Sequence, residues 1–236
     1  MNITITGNLG AGKSSVCKEF EKQGFTIITG GSIFRDIAQE MGISVEELNR
    51  KVNAGEIKGI DNKIDTRTTE LSKQMDNVVF DSRLAWNFAA ESFKVFLIID
   101  PQIAAERVYQ GNDRNAEHYA SLDDAVKGLK RRADLEQERF LDMYNIDYYD
   151  ASNYDLIIES SYATPQQIAK EILDNFEQYK MGNYQRRVEL YDFEDLGKFQ
   201  YHYYPEDIPV KEGYHLDFTR FADDRQNDLE LSEMEI

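Results

Sequence analysis

Met1-Asn2-Ile3-Thr4-Ile5-Thr6-Gly7-Asn8-Leu9-Gly10-Ala11-Gly12-Lys13-Ser14 opens the chain. Residues 1–6 are rich in β-branched side chains and read as a strand. Residues 7–14 fit the spacing G-x-x-x-x-G-K-[ST] at every fixed position, and residues 13–23 read as a helix. Gly7, Gly10 and Gly12 let the backbone bend so that successive N–H groups point into one anion-sized hollow. Lys13 is placed to reach terminal phosphates, and the Ser14 hydroxyl to hold Mg²⁺. The helix N-terminus adds its dipole to the same place. Gly7, Asn8, Leu9, Gly10, Ala11, Gly12, Lys13, Ser14 and the following Ser15 are therefore the candidate residues for binding a nucleoside triphosphate.

The rest of the chain alternates in the same manner. Residues 25–29, 77–81, 93–100 and 154–158 read as further strands. Those at 77–81 and 93–100 are nearly continuous apolar runs, as expected for strands buried on both faces of a parallel sheet. Ser32 is expected to cap a helix that Gly42 closes, and Ser44 with Glu47 forms a capping-box pattern. A long charged helix is expected from 121 to about 144. Another starts after Thr164, with Pro165 at its first position, and runs to about 180. The expected fold is α/β: a five-stranded parallel sheet flanked by helices, the doubly wound arrangement.

The totals bound the function. The chain has 236 residues, 41% of them hydrophobic, and a net charge of −17. A chain this acidic gains nothing from the backbone-phosphate attraction that drives nucleic-acid binding. A nucleotide site needs only local positive charge. No apolar stretch approaches a membrane span, no signal-peptide pattern is present, and Cys17 is the lone cysteine, so a cytoplasmic protein is expected. Residues 181–236 differ in composition. They carry 14 acidic against 6 basic residues and ten aromatics, including the cluster Phe199-Gln200-Tyr201-His202-Tyr203-Tyr204. They read as an appendage to a 1–180 domain, ordered at first and frayed from about Asp223. Packing or a subunit contact between copies suits them better than catalysis. His118, His202 and His215 lack a metal-ligand spacing.

Three arginine-bearing segments extend the site beyond the loop. Gly31-Ser32-Ile33-Phe34-Arg35 follows the second strand, Asp81-Ser82-Arg83 follows the third, and Arg131-Arg132 with Arg139 lies in the long charged helix. Ligands in such sheets sit beyond the carboxyl ends of the strands. Arg35 and Arg83 are thus expected on the same edge as the loop, where two guanidinium groups could grip a second phosphorylated molecule. Asp81 is placed to orient a Mg²⁺-bound water. The bland alternatives are a surface role for Arg35, an Arg83–Asp81 ion pair, and a solvated face for Arg131, Arg132 and Arg139, whose helix also carries Glu136 and Glu138. Trp86 and Phe88 read as core.

These segments together resemble the cytidylate kinase family of compact archaeal and bacterial type, within the P-loop nucleoside monophosphate kinases. The resemblance rests on G-x-I-F-R-x-I-A-x-E-x-G from Gly31 to Gly42, and on Ile60-Asp61-Asn62-Lys63-Ile64-Asp65-Thr66-Arg67. It rests also on Asp81-Ser82-Arg83-Leu84-Ala85, on Arg132 to Arg139-Phe140, and on Tyr144-Asn145-Ile146-Asp147. It covers residues 1–178 and implies helical acceptor-binding and lid insertions. It implies that Gly7 to Ser14 bind the phosphates of ATP, and that Arg35, Asp65, Arg67, Asp81 and Arg83 bind a nucleoside monophosphate. Ser14 and Asp81 would serve Mg²⁺. Lys13, Arg83, Arg132 and Arg139 would act on the transferring phosphoryl group. In-line transfer of this kind depends on positioning and positive charge, which suits a site of Lys, Arg, Ser and Asp. Ser32 replaces the usual Asp, Ser82 the usual Gly, and Gln137 stands where Arg is often found. CMP or dCMP is the expected acceptor. A small-metabolite kinase, and a nucleotide-binding regulator without transferase activity, remain alternatives at this level.

Overall fold

The computed structural model describes residues 1–111 and 119–184, and the backbone of two strands at 187–191 and 199–203. The five expected strands are β1 (Asn2–Gly7), β2 (Thr26–Thr29), β3 (Val78–Asp81), β4 (Ser92–Ile98) and β5 (Leu156–Glu159), all parallel, in the order β2-β3-β1-β4-β5. The helices are α1 (Lys13–Lys22), α2 (Gly30–Glu40), α3 (Val45–Asn53), α4 (Ile60–Gln74), α5 (Ala85–Phe88), α6 (Pro101–Gln110), α7 (Leu122–Tyr144) and α8 (Pro165–Lys180). Beyond α8, β6 (Arg187–Tyr191) joins β5 in parallel and β7 (Phe199–Tyr203) joins β6 antiparallel, so the sheet has seven strands. The strand–helix alternation thus runs one step further than the apolar pattern indicates. Arg187-Val188-Glu189-Leu190-Tyr191 alternates polar and apolar residues and so lacks the continuous apolar run by which β3 and β4 are recognised. The expected fraying from Asp223 lies outside the described residues.

β1 is the pivot. β2 and β3 lie on one side of it, and the chain crosses over to place β4 and β5 on the other. A crevice opens at the carboxyl end of such a switch point. Register sets what faces it: Ile5 lies beside Asp81, Thr29 beside Asp81, Gly7 beside Leu97, and Ile98 beside Glu159.

The two faces of β4 show why its apolar run is continuous. Phe93 packs on Phe176, Tyr179 and Tyr184 of the α8 side, while Phe96 packs on Tyr148 and Tyr154 of the other. Alternate residues on a strand point to opposite faces, so a covered sheet needs both to be apolar. Each buried side chain of this size contributes about 1.5–3 kcal/mol. Trp86 belongs to this core against Tyr154. A separate small core, built on Ile33, Ile37, Ala38, Leu48 and Ile60, joins α2, α3 and α4 into a helical layer.

Two caps differ from expectation. The α2 cap is Thr29, with Ser32 three residues on in a reciprocal capping box. The strand end supplies the hydroxyl and the two glycines become the first helical residues. β4 ends at Ile98, and Asp100 instead caps α6 by accepting from the N–H groups of Gln102 and Ile103.

Candidate active site at the carboxyl edge of the sheet

The loop from Gly7 to Gly12 is held by backbone conformation. Gly7 has φ 147°, Gly10 φ 80° and Gly12 φ 82°, values that side-chain-bearing residues rarely adopt. Space enforces the first of these again, since a Cβ on Gly7 would stand 2.2 Å from the Leu97 carbonyl oxygen. Asn8 N–H donates to that same carbonyl at 2.9 Å, tying the loop to β4. Leu9 and Ala11 are buried as anchors, while Ser14 and Ser15 are exposed at the mouth. α1 begins at Lys13 with no side chain capping it; Ser15 and Val16 N–H donate to the Gly12 carbonyl at 3.0 and 3.1 Å, and the helix presents its positive end to the loop hollow.

Two cations converge on one carbonyl at this edge. Lys13 Nζ donates to the Gly7 and Asn8 carbonyls, each at 3.1 Å. Arg83 Nη1 donates to the Gly7 carbonyl at 2.6 Å. Burial, and then the nearby Arg83 charge, push the Lys13 ammonium down to about 7, against the opposing pull of the Asp81 and Glu136 carboxylates. Desolvation works against the Arg83 charge as well, but the Tyr148 and Glu136 oxygens more than offset it and raise its pKa. Both cations therefore sit where a phosphate, carrying full negative charge on several oxygens, would replace neutral carbonyls as their partner. Asp81 is half-buried at the end of β3, and desolvation raises its pKa against the effect of Lys13 and Arg83.

Arg83 pairs with Glu136 of α7 through Nε–Oε2 at 3.1 Å, and the other oxygen of Glu136 meets Arg132 Nε at 3.3 Å. The carboxylate partner of Arg83 is thus Glu136, brought from α7, and not its sequence neighbour Asp81. Arg132 and Arg83 share that one carboxylate beside the loop. Arg139 lies elsewhere: it pairs with Asp61 of α4 at 2.9 Å, and both groups are about half exposed. Arg131 is exposed. Arg35 is exposed on α2 and, among the described residues, makes no ion pair. Its guanidinium lies 3.6 Å from where a Cβ on Gly31 would stand. Ser82 likewise faces the start of α2, with Oγ 3.7 Å from such a position on Gly30, an ordinary contact distance.

Asp65 and Arg67 both lie on α4. Tyr144 Oη donates to Asp65 Oδ2 at 2.7 Å, and desolvation raises the Asp65 pKa while that hydrogen bond lowers it. Arg67 pairs with Glu40 of α2 at 2.5 Å. Phe88 packs edge-on to Tyr144 at 5.8 Å between ring centres, so its place is the wall between α5 and α7.

Three participants carry no usable signal in the sequence. Arg107 of α6 reaches the Ser160 and Ser161 carbonyls at 2.9 and 2.7 Å and the Gly10 carbonyl at 3.4 Å, bridging the phosphate loop to the β5–α8 loop. Tyr148 is fully buried, with its hydroxyl beneath Gly7. Gln137, at a position expected to face the site from a lid, bonds instead to Asp147 and to the Tyr148 N–H. Asn145 ends α7 at φ 54°, a left-handed conformation that Asn adopts more readily than most side-chain-bearing residues. Among the described residues no cluster of three His, Cys, Asp or Glu is arranged to hold a metal ion, and no helix is long and apolar enough to cross a membrane.

Comparison with known proteins agrees with this geometry. The model of the "Cytidylate kinase-like family" matches residues 2–162. The cytidylate kinase of Thermoplasma volcanium is 31% identical over 183 residues, covering 75% of this chain and 92% of the relative. That of Methanocella arvoryzae is 38% identical over 162 residues, covering 68% and 88%. A crystal structure of an uncharacterized protein from Eubacterium ventriosum shares the fold at a TM-score of 0.57 and 13% identity, covering 75% of this chain and 98% of the other. The phosphate loop on β1, the arginine beyond β3 and the sequence match through β5 together show that this chain belongs to the cytidylate kinase-like family.

Proposed function

We propose that this protein transfers the γ-phosphoryl group of ATP to a nucleoside monophosphate, with CMP or dCMP as acceptor. The observation that carries the reading is the convergence of Lys13 and Arg83 on the Gly7 carbonyl, 3.1 and 2.6 Å away. One cation belongs to the donor loop and the other to the strand end beside it. Donor and acceptor phosphates drawn to these two groups would meet end to end. An acceptor phosphate oxygen then attacks the γ-phosphorus, the bond to the β-phosphate oxygen breaks, and ADP leaves. The nucleophile is already an anion, so no general base is required. The enzyme's task is to hold two repelling anions in line and to spread positive charge over the transferring group.

Mg²⁺ fits the oxygens present. The exposed Ser14 hydroxyl and the Asp81 carboxylate are hard donors, too few for an all-protein cage and suited to an ion held mainly by phosphate and water. When bound, the ion supplies charge neutralisation between the donor phosphates. Lys13 and the first-turn N–H groups of α1 hold the ATP phosphates. Arg83 and Arg35 hold the acceptor phosphate, while Arg132 adds charge from α7. Asp65 offers its carboxylate to the exocyclic amine of cytosine, which uracil lacks, and Tyr144 fixes the direction of that carboxylate. Arg67, braced by Glu40, and Arg139, braced by Asp61, set the spacing of the acceptor wall. We assign catalysis to residues 1–180 and a cytoplasmic setting to the enzyme, with 181–236 as an extension at the sheet margin where copies of the chain could meet.

The test is an acceptor screen with CMP, dCMP, UMP, AMP and GMP, read as coupled ADP release. CMP or dCMP should turn over fastest. Turnover with none of the five would remove the proposal.

A further inference from the structure

Gln137 and Tyr148 form a connection that the transfer reaction as described above does not use. Gln137 sits in the middle of α7. Its Nε2 donates to Asp147 Oδ1 at 2.6 Å and its Oε1 accepts from Tyr148 N–H at 3.1 Å. The Tyr148 carbonyl accepts from Tyr154 Oη at 2.6 Å. The Tyr148 ring is packed among Phe96, Phe140 and Tyr149 at 5.6, 5.4 and 4.9 Å between centres. Backbone and ring are thus held on every side, and the hydroxyl has one place to be.

That place is the end of β1. Tyr148 Oη lies 2.7 Å from Thr6 Oγ1, 3.3 Å from Gly7 N, 3.3 Å from the Gly7 oxygen and 3.4 Å from Arg83 Nη1. Thr6 Oγ1 donates its own proton to the Arg83 carbonyl at 3.2 Å. A hydroxyl has one proton and two lone pairs; the nearer acceptor, Thr6 Oγ1 rather than the Gly7 oxygen, takes that proton, and the Gly7 oxygen accepts from Lys13 and Arg83 instead. Tyr148 gives its proton to Thr6 Oγ1 and accepts from Gly7 N–H and Arg83 Nη1. The hydroxyl's contacts are then confined to the first peptide of the donor loop, the residue before it, and the acceptor arginine. Thr6 holds the main chain of Arg83 and Tyr148 its side chain.

We propose that Tyr148 is a positioning residue for phosphoryl transfer: its hydroxyl, carried on a loop that Gln137 anchors to α7, holds the phosphate-loop peptide at Gly7 and the Arg83 guanidinium in one fixed relation. Donor and acceptor groups are thereby set by a single atom. The helix that carries Arg132 and Glu136 is tied to both through Gln137. The inference rests on the proposed transfer reaction, and it assigns no chemistry to Tyr148 itself.

The experiment compares Tyr148→Phe with the wild-type chain. Phenylalanine keeps the ring contacts and removes only the hydroxyl. Misplacement of reacting groups by a fraction of an ångström lowers kcat roughly tenfold to a hundredfold, and that fall is expected here with unchanged far-ultraviolet circular dichroism. Gln137→Met, which leaves the hydroxyl in place and cuts its anchor, should lower kcat in the same direction by less. The double variant should be no slower than Tyr148→Phe alone. In an Arg83→Gln background Tyr148→Phe should no longer change the acceptor KM. A kcat and acceptor KM for Tyr148→Phe equal to wild type would overturn the proposal, as would additive losses in the double variant. Direct titration with ATP and magnesium separates this from failure of the functional reading. If the wild type turns over no acceptor, that reading falls, and Tyr148→Phe must still weaken ATP binding through the Gly7 peptide. Equal ATP affinity would then sink the positioning role by itself.

Discussion

The phosphate loop and the wall proposed to hold the acceptor are built by different physics. From Gly7 to Gly12 the shape is written in the backbone: three glycines at positive φ, one of them with a strand carbonyl where a side chain would be, and apolar anchors beneath. Arg107 and Tyr148 brace that stretch from outside, but its bends come from the glycine backbone itself. The acceptor wall is the reverse. Arg83 is held by a carboxylate 53 positions further along the chain, Asp65 by Tyr144, Arg67 by Glu40 and Arg139 by Asp61. These contacts are ion pairs and hydrogen bonds at partial exposure, each contributing modestly and each able to exchange partners. One side of the site is therefore preformed, and the other is assembled from separate elements.

The largest effect should come from the preformed side. Lys13→Ala removes the cation that follows the γ-phosphate, and transfer should fall by roughly a hundredfold to a thousandfold or more. An active variant, measured by ADP release, would mean the loop serves something else. Arg83→Ala comes next. Acceptor KM should rise about tenfold to a hundredfold, with ATP affinity changing far less. A larger loss of ATP affinity than of acceptor use would place Arg83 on the donor side and dissolve the distinction.

A pH experiment reads the Lys13 environment directly. Its ammonium titrates near 7 in the folded protein against an ordinary value of 10.5. Between those values the folded chain holds fewer protons than the unfolded chain, so this group's destabilising effect is full below pH 7 and fades as pH rises through the window. Phosphates restore the proton. ATP binding at pH 8.5 should take up close to one proton, and at pH 6 none. Calorimetric heats that are independent of buffer ionisation at pH 8.5 would contradict this. The smallest effect belongs to the exposed wall. Arg139→Ala should change thermal stability by less than about 1 kcal/mol, and catalysis by less than Arg83→Ala. A loss equal to that of Arg83→Ala would bring Arg139 into the transfer site itself.

Particular residues show what could be read without coordinates. Gly7 to Ser14 carry their meaning locally, because a bend, an anion hollow and a helix start are all made by neighbours in sequence. The apolar runs at 77–81 and 93–100 likewise signal burial on two faces, and Phe93 and Phe96 facing opposite layers shows why. Cap residues were legible to within a turn: Thr29 took the place expected of Ser32 because the strand end already presented a hydroxyl. Arg107 and Tyr148 were not legible. Their partners lie 97 and 141 positions away at Gly10 and Gly7, and an arginine on a helix or a tyrosine in a loop has no local pattern that announces such a contact.

Gln137 marks the boundary between the two kinds of information. By residue type it is a departure from the arginine often found at that position; its neighbours in space make it the anchor of the loop that carries Tyr148. The amino-acid order alone was enough for a phosphate-binding loop on a parallel sheet, an arginine beyond the third strand, and the family. Those depend on short-range geometry and on periodic burial, which every local stretch expresses for itself. Which carboxylate meets Arg83, which hydroxyl lies under Gly7 and which arginine of α7 turns away toward Asp61 depended on how separate elements pack. Side-chain partners are chosen by distance in three dimensions, and the chain's folding brings together groups whose separation in sequence carries no trace of the encounter.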